Sequence, residues 1–216
     1  MGVVLDNREL FWEGFLQTLR ICFYGATGAL IIGTFMAAMR VSPVPVMRAV
    51  GTTWVTVFRN CPLTVVLFFM AFGIPEIGIN GTYFWFGVTA LALYTSAFVC
   101  EAVRSGINAI PNGQAEAARS LGLTFTQTLR LVVLPQALRT SVPPVGNVLI
   151  AMVKNSAIVG AFGVGGDLFS VGQVLTSARG LAAFPVLTGV ALCYLAITIP
   201  SGIALNALER KVAVRR

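Results

Sequence analysis

Charge is scarce in this sequence. Only 11% of its 216 residues are Asp, Glu, Lys or Arg, against 56% hydrophobic residues, whereas a soluble domain usually carries about 25% charge. With a mean hydropathy of +0.84, the chain lacks the polar surface to face water all round. Histidine is absent, which removes the commonest general base and metal ligand. The four cysteines, Cys22, Cys61, Cys100 and Cys193, fall singly in separate apolar runs with no CxxC pair, so zinc and redox chemistry have no basis and buried, inert thiols are expected. The only lysines, Lys154 and Lys211, follow Val and Arg, so there is no Gly-Lys-Ser/Thr phosphate loop. Nothing points to a catalytic residue, and the chain is not expected to be an enzyme. The acids Asp6 and Glu9 beside Arg8, ahead of a long apolar run, do not resemble a cleavable signal.

Long apolar runs are what the sequence has instead. They extend from Ile21 to Met39 (starting nearer Trp12), from Thr53 to Pro75 with Arg59 inside, from Tyr83 to Cys100, from the Pro143–Pro144 pair past Lys154, and from Pro185 to about Leu205. Each approaches the roughly 20 residues that cross a hydrocarbon core of about 30 Å. Five transmembrane helices fill the chain, giving an all-α membrane protein with a single domain over 1–216. The formal charge of +7 does not signal nucleic acid, because the basic residues lie mainly between the runs. Ten of the fifteen Lys and Arg fall in alternate segments, namely after the first run, after the third and at the C-terminus; two fall in the others, and Arg20, Arg59 and Lys154 lie within spans. The positive-inside rule then places the N-terminus outside and the C-terminus in the cytoplasm.

The segment 108–135, from Asn108 to Pro135, is too polar to insert and too long for a plain connector. Helix formers from Gln114 to Leu121 follow Pro111-Asn112-Gly113, and Gly122 can end that helix in the left-handed conformation. Thr124 or Thr126 can cap a second helix, which is expected to stop by Pro135. Periodicity by itself leaves open a solvated connector lying on the membrane surface.

Glu116-Ala117-Ala118, Gly122 and Leu134-Pro135 resemble the EAA loop of permease subunits of ABC importers. GQAEAARSLGL, LPQALR and PPVGN, between Gly113 and Asn147, are similar to the polar amino acid subgroup. Arg59 with Pro62-Leu63 sits where that subgroup has Arg-Gly-Thr-Pro-Leu, although Asn60 and Cys61 depart from it, and Lys154-Asn155-Ser156 resembles its Lys-x-Thr/Ser motif. RVSP, YTSAFVCEAVRSGIN and KNSAIVGAFGVG resemble glutamate permeases of actinobacteria. The resemblance implies a type I importer permease of the bacterial cytoplasmic membrane. In it the loop is a coupling helix seated in an ABC ATPase dimer that binds ATP and Mg. A second permease subunit, identical or homologous, and an extracytoplasmic solute-binding protein complete the assembly, and a polar amino acid, glutamate first, is the solute.

Charges within spans are functional hypotheses by default. Glu101 and Arg104, three residues apart, can pair on one helix face, and Lys154 can pair with Glu101 or, with Asn155 and Ser156, line the solute path. Arg59 can snorkel to the interface or face that path. An alternative function is a secondary amino acid transporter or channel relaying ions through Glu101 and Lys154; it predicts an inverted repeat, and none is visible. Glycines and prolines from Pro143 to Gly166 suit either close helix packing or a hinged helix.

Overall fold

The computed structural model describes residues 2–163 and 165–212. After a short turn at Gly2–Asp6, the first span is one helix, α1, Arg8–Val41. The second expected run is not a straight span. It breaks into α2, Pro45–Asn60, and α3, Leu63–Glu76, at an angle of 102°. Cys61 and Pro62 are both extended there, with ψ of 133° and 139°, because a proline pushes the residue before it out of the helical region. Then come α4, Tyr83–Asn108, α5, Asn112–Ser120, α6, Phe125–Ala161, α7, Leu168–Ala178, and α8, Ala183–Val212. Four of these helices, α1, α4, α6 and α8, are long and apolar enough to cross a membrane, and the bent pair α2–α3 makes five.

Two boundaries differ from the sequence expectation for one reason, the placement of prolines. The helix after Thr124 does not stop at Pro135; it continues as α6 to Ala161, so the fourth span begins well before Pro143–Pro144. Thr128–Val133 is wound with wide turns, and Leu134 N–H bonds back five residues to Leu129 O. Pro135 lies where the ordinary ladder restarts, so its missing N–H breaks no established bond. Pro143 and Pro144 are carried inside the helix, beside Thr140 and Ser141, whose hydroxyls bond to the Gly106 and Val103 carbonyls of α4 at 2.9 and 3.3 Å.

Small residues set the packing. Gly25, Gly28 and Gly33 of α1 face Leu91, Ala92 and Ser96–Val99 of α4 in the same order, so the two helices run parallel. A Cβ on Gly33 would stand 2.7 Å from the Ser96 carbonyl. This backbone-to-backbone approach is how helices associate where lipid supplies no hydrophobic drive. Since α1 and α4 are parallel, the chain between them must return across the bilayer, which makes the bent pair α2–α3 a genuine crossing. Gly106 against Ser141 at one end, and Tyr94 near Asn155 at the other, make α6 antiparallel to α4. Gly146 packs on Leu205 and Gly160 on Asp167, so these glycines serve close packing in an unbroken helix. Gly163 and Gly166, with φ of 67° and 59°, make the turn that follows.

Leu67, Leu91, Met152, Leu168 and Leu175 are fully buried in the core. At the end of the bundle away from α5, Asp167 is buried as well. Its carboxylate accepts from the Ser170 N–H at 3.2 Å and the Phe169 N–H at 3.4 Å, capping α7, and from the Tyr194 hydroxyl of α8 at 3.3 Å. Next to it, the Leu168 N–H donates to Thr18 Oγ1 of α1 at 3.1 Å.

Candidate functional site

The polar segment folds as α5, a turn and the first turns of α6. Gly122 has φ +84°; its N–H bonds to Arg119 O at 2.9 Å, and the Leu123 N–H to Ala118 O at 3.2 Å. This paired pattern satisfies the last carbonyls of α5 and needs a residue without Cβ strain at the turn. Thr124, rather than Thr126, then caps α6. Its Oγ1 accepts from the Gln127 N–H at 3.3 Å, while Gln127 Oε1 accepts from the Thr124 N–H at 2.9 Å. Reciprocal caps of this kind fix the angle at which a helix starts. Glu116 and Ala117 are exposed, and Ala118 is buried beneath them. Leu134 and Pro135 lie further along α6, both exposed.

Sequence reasoning missed two residues here. Leu121 is 82% exposed and Phe125 is 78% exposed, so a pair of large apolar side chains flanks the Gly122 turn, with Leu131 exposed further along α6. Their signal was present as two bulky apolar residues bracketing a Gly-Leu-Thr turn, a place where an isolated loop has no use for them.

A second constellation gathers where α1, α2 and α4 meet. Glu101 Oε1 pairs with Arg40 of α1 and lies 3.5 Å from Arg59 of α2, while Oε2 accepts from Arg104 at 3.0 and 3.2 Å. The expected Glu101–Arg104 pair is therefore present. A Glu101–Lys154 pair is not: among the described residues every ion pair converges on Glu101 from an arginine, and Lys154 is exposed on α6. The physical reason is position, because Arg40 and Arg59 sit at the end of α4 that carries Glu101. Arg59 also holds its guanidinium carbon 5.9 Å above the Phe98 ring. A polar cavity of about 250 Å³ opens beside it, walled by Arg40, Val55, Thr56, Arg59, Asn60 and Glu101.

The Lys154-Asn155-Ser156 motif points three ways, as successive helical residues must. Asn155 lines a cavity of about 130 Å³ with Tyr94, Thr95 and Phe98 of α4, and Ser156 is buried, its hydroxyl donating to Val153 O at 2.7 Å. No group of His, Cys, Asp or Glu suited to a metal occurs among the described residues.

Comparison with known proteins places this geometry. Residues 29–214 match the family described as binding-protein-dependent transport system inner membrane component. The probable glutamine ABC transporter permease protein GlnM of Bacillus subtilis is 38% identical over 98% of this chain and 97% of its own length. The glutamate transport system permease protein GluC of Corynebacterium glutamicum is 40% identical over 94% and 93%. A solved structure of an amino acid ABC transporter with histidines superposes with a TM-score of 0.91 at 34% identity, covering 97% of both chains. The chain belongs to the family of binding-protein-dependent transport system inner membrane components, and is a multi-pass permease subunit of an ABC importer rather than an enzyme.

Proposed function

We propose that this chain is a single permease domain that moves a polar amino acid, glutamate first, inward across the bacterial cytoplasmic membrane. A separate ABC ATPase dimer supplies the energy, with ATP and Mg held in that partner. The segment 108–135 is the coupling loop. Glu116 and Ala117 on α5, the Gly122 turn with Ala118 beneath it, and Leu134 and Pro135 on α6 form the element that the ATPase grips. The observation that carries this reading is the exposed apolar pair Leu121 and Phe125 on a turn held by two interlocking caps. An apolar plug on a rigid polar support suits a groove in a partner. The assembly further contains a second permease subunit, identical or homologous, and an extracytoplasmic solute-binding protein. The N-terminus lies outside and the C-terminus inside, as the distribution of basic residues requires. Arg59 and Glu101, which wall one polar cavity, and Asn155, which lines another, face the solute path, while Lys154 and Ser156 lie on other sides of α6.

Glutamate rests on the glutamate permeases among the relatives, at 39% and 40% identity; glutamine is the second reading, favoured by the glutamine permease at 38%. The coupling assignment is tested with Glu116→Lys in the reconstituted transporter. The variant is expected to insert normally and to lose solute-stimulated ATP hydrolysis, and undiminished hydrolysis would overturn the assignment. Uptake of labelled glutamate against labelled glutamine separates the two solutes.

A further inference from the structure

The charge cluster at Glu101 is unbalanced. Three guanidiniums converge on one carboxylate, leaving two positive charges in excess at a partly buried junction of helices. Both carboxylate oxygens are already committed, Oε1 to Arg40 and Oε2 to Arg104. Arg59 is the unsatisfied member. It approaches only to 3.5 Å, makes no hydrogen bond to Glu101, and keeps 48% of its side chain exposed. Its guanidinium carbon lies 5.9 Å over the Phe98 ring, and its N–H donors are not taken up by Glu101. The Arg59 flank of α2, with Thr56 and Asn60, walls the polar cavity of about 250 Å³.

We infer that the cavity between Arg59, Arg40, Thr56, Asn60 and Glu101 is a carboxylate station that takes the side-chain carboxylate of an acidic amino acid during transport. The inference rests on the amino acid reading above and sharpens it. Two excess positive charges favour a solute with two carboxylates over its amide. Arg59 is the residue that discriminates, since it makes no hydrogen bond to Glu101 and is the most exposed of the three arginines. Its place beside the Cys61–Pro62 bend, where α2 turns into α3, ties occupancy of the station to the shape of the broken span.

The test uses the assembled permease–ATPase complex in nanodiscs of phosphatidylcholine, without its solute-binding protein, and equilibrium binding of labelled L-glutamate. Wild type is expected to bind glutamate more tightly than glutamine, with succinate competing. Arg59→Gln is expected to weaken glutamate about tenfold, the loss of one charge-assisted contact, and Arg59→Lys to fall between. Thr56→Asp, which puts a carboxylate into the cavity wall, is expected to abolish binding even if Arg59→Gln proves unstable. Equal affinity for glutamate and glutamine, or unchanged binding in Thr56→Asp, would overturn the inference. So would displacement by inorganic phosphate or by added phosphatidylglycerol in preference to succinate, because that would mark a phosphate or lipid-headgroup site. Failure of the amino acid reading itself shows elsewhere, as a wild-type transporter whose solute-binding protein and either amino acid do not stimulate ATP hydrolysis.

Discussion

Asp167 shows how much one side chain can hold at a bundle end. It is buried, and it joins the start of α7 to Tyr194 of α8 and lies against Gly160 of α6, while its neighbour Leu168 is tied to Thr18 of α1. Ser170 Oγ stands 2.8 Å from Asp167 Oδ1 and 3.0 Å from the Gly160 carbonyl, sharing one proton between them. Removing the carboxylate deletes a helix cap and orphans buried donors, so Asp167→Ala is expected to cost about 2–4 kcal/mol. Asp167→Asn, which keeps an acceptor, should lose less. Thermal unfolding of the detergent-solubilised protein reads both; an Asp167→Ala variant that melts like wild type would show that the network carries no stability. In the sequence this residue looks like one more polar loop position after a glycine pair. Burial depends on α1, α6 and α8 closing over it, a contact between residues 150 positions apart that no local pattern encodes.

At the scale of the element, the bend at Cys61–Pro62 and the turn at Gly122 make a contrast. Gly122 was legible because caps are local, a glycine after a helical stretch stating its own geometry; Thr124 and Thr126 stood level until the reciprocal cap with Gln127 chose the first. The bend was only half legible. Pro62 announces an interruption, but its size of 102° is set by α2 crossing α1 and α4, with Gly51 against Arg40 and Trp54 Nε1 donating to Ser96 at 3.0 Å. Pro135 was misleading for a related reason, since the wide turns before it let the helix pass through. Pro62→Ala restores helical freedom to Cys61 and should straighten the pair, drawing Arg59 away from Glu101. Uptake is expected to fall while the protein still inserts, with a changed rate of Cys61 alkylation reporting the altered bend. Unaltered uptake and alkylation would mean that packing alone fixes the angle.

For the whole molecule, the helix directions form a consistent set. α1 and α4 are parallel, α6 opposes them, and α8 runs with α1, as Gly189 beside Phe11 and Tyr194 beside Asp167 require. With the bent pair as a crossing, the two ends of the bundle lie on opposite sides of the bilayer. Basic residues choose which side is which, and that choice can be measured. In a background with Cys22, Cys61, Cys100 and Cys193 replaced, Glu76→Cys is expected to react with an impermeant maleimide added outside intact cells, and Arg119→Cys only after permeabilisation. The reverse pattern would invert the topology. The span count was readable in advance because lipid demands long apolar runs; of Glu101's partners, Arg104 was readable from its spacing, whereas Arg40 and Arg59 were not, because they depend on where helix ends meet.

α6 runs from the Thr124 cap to Ala161 and touches α4 through Ser141 and Gly106. At 1.5 Å per residue, about 24 Å of helix lies on the α5 side of that contact and about 30 Å beyond it. Beyond that contact the rod is held again, at Gly146 against Leu205 and at Gly160 against Asp167, so a push at the tip near Phe125 is passed along the helix to α8 and to the knot around Asp167.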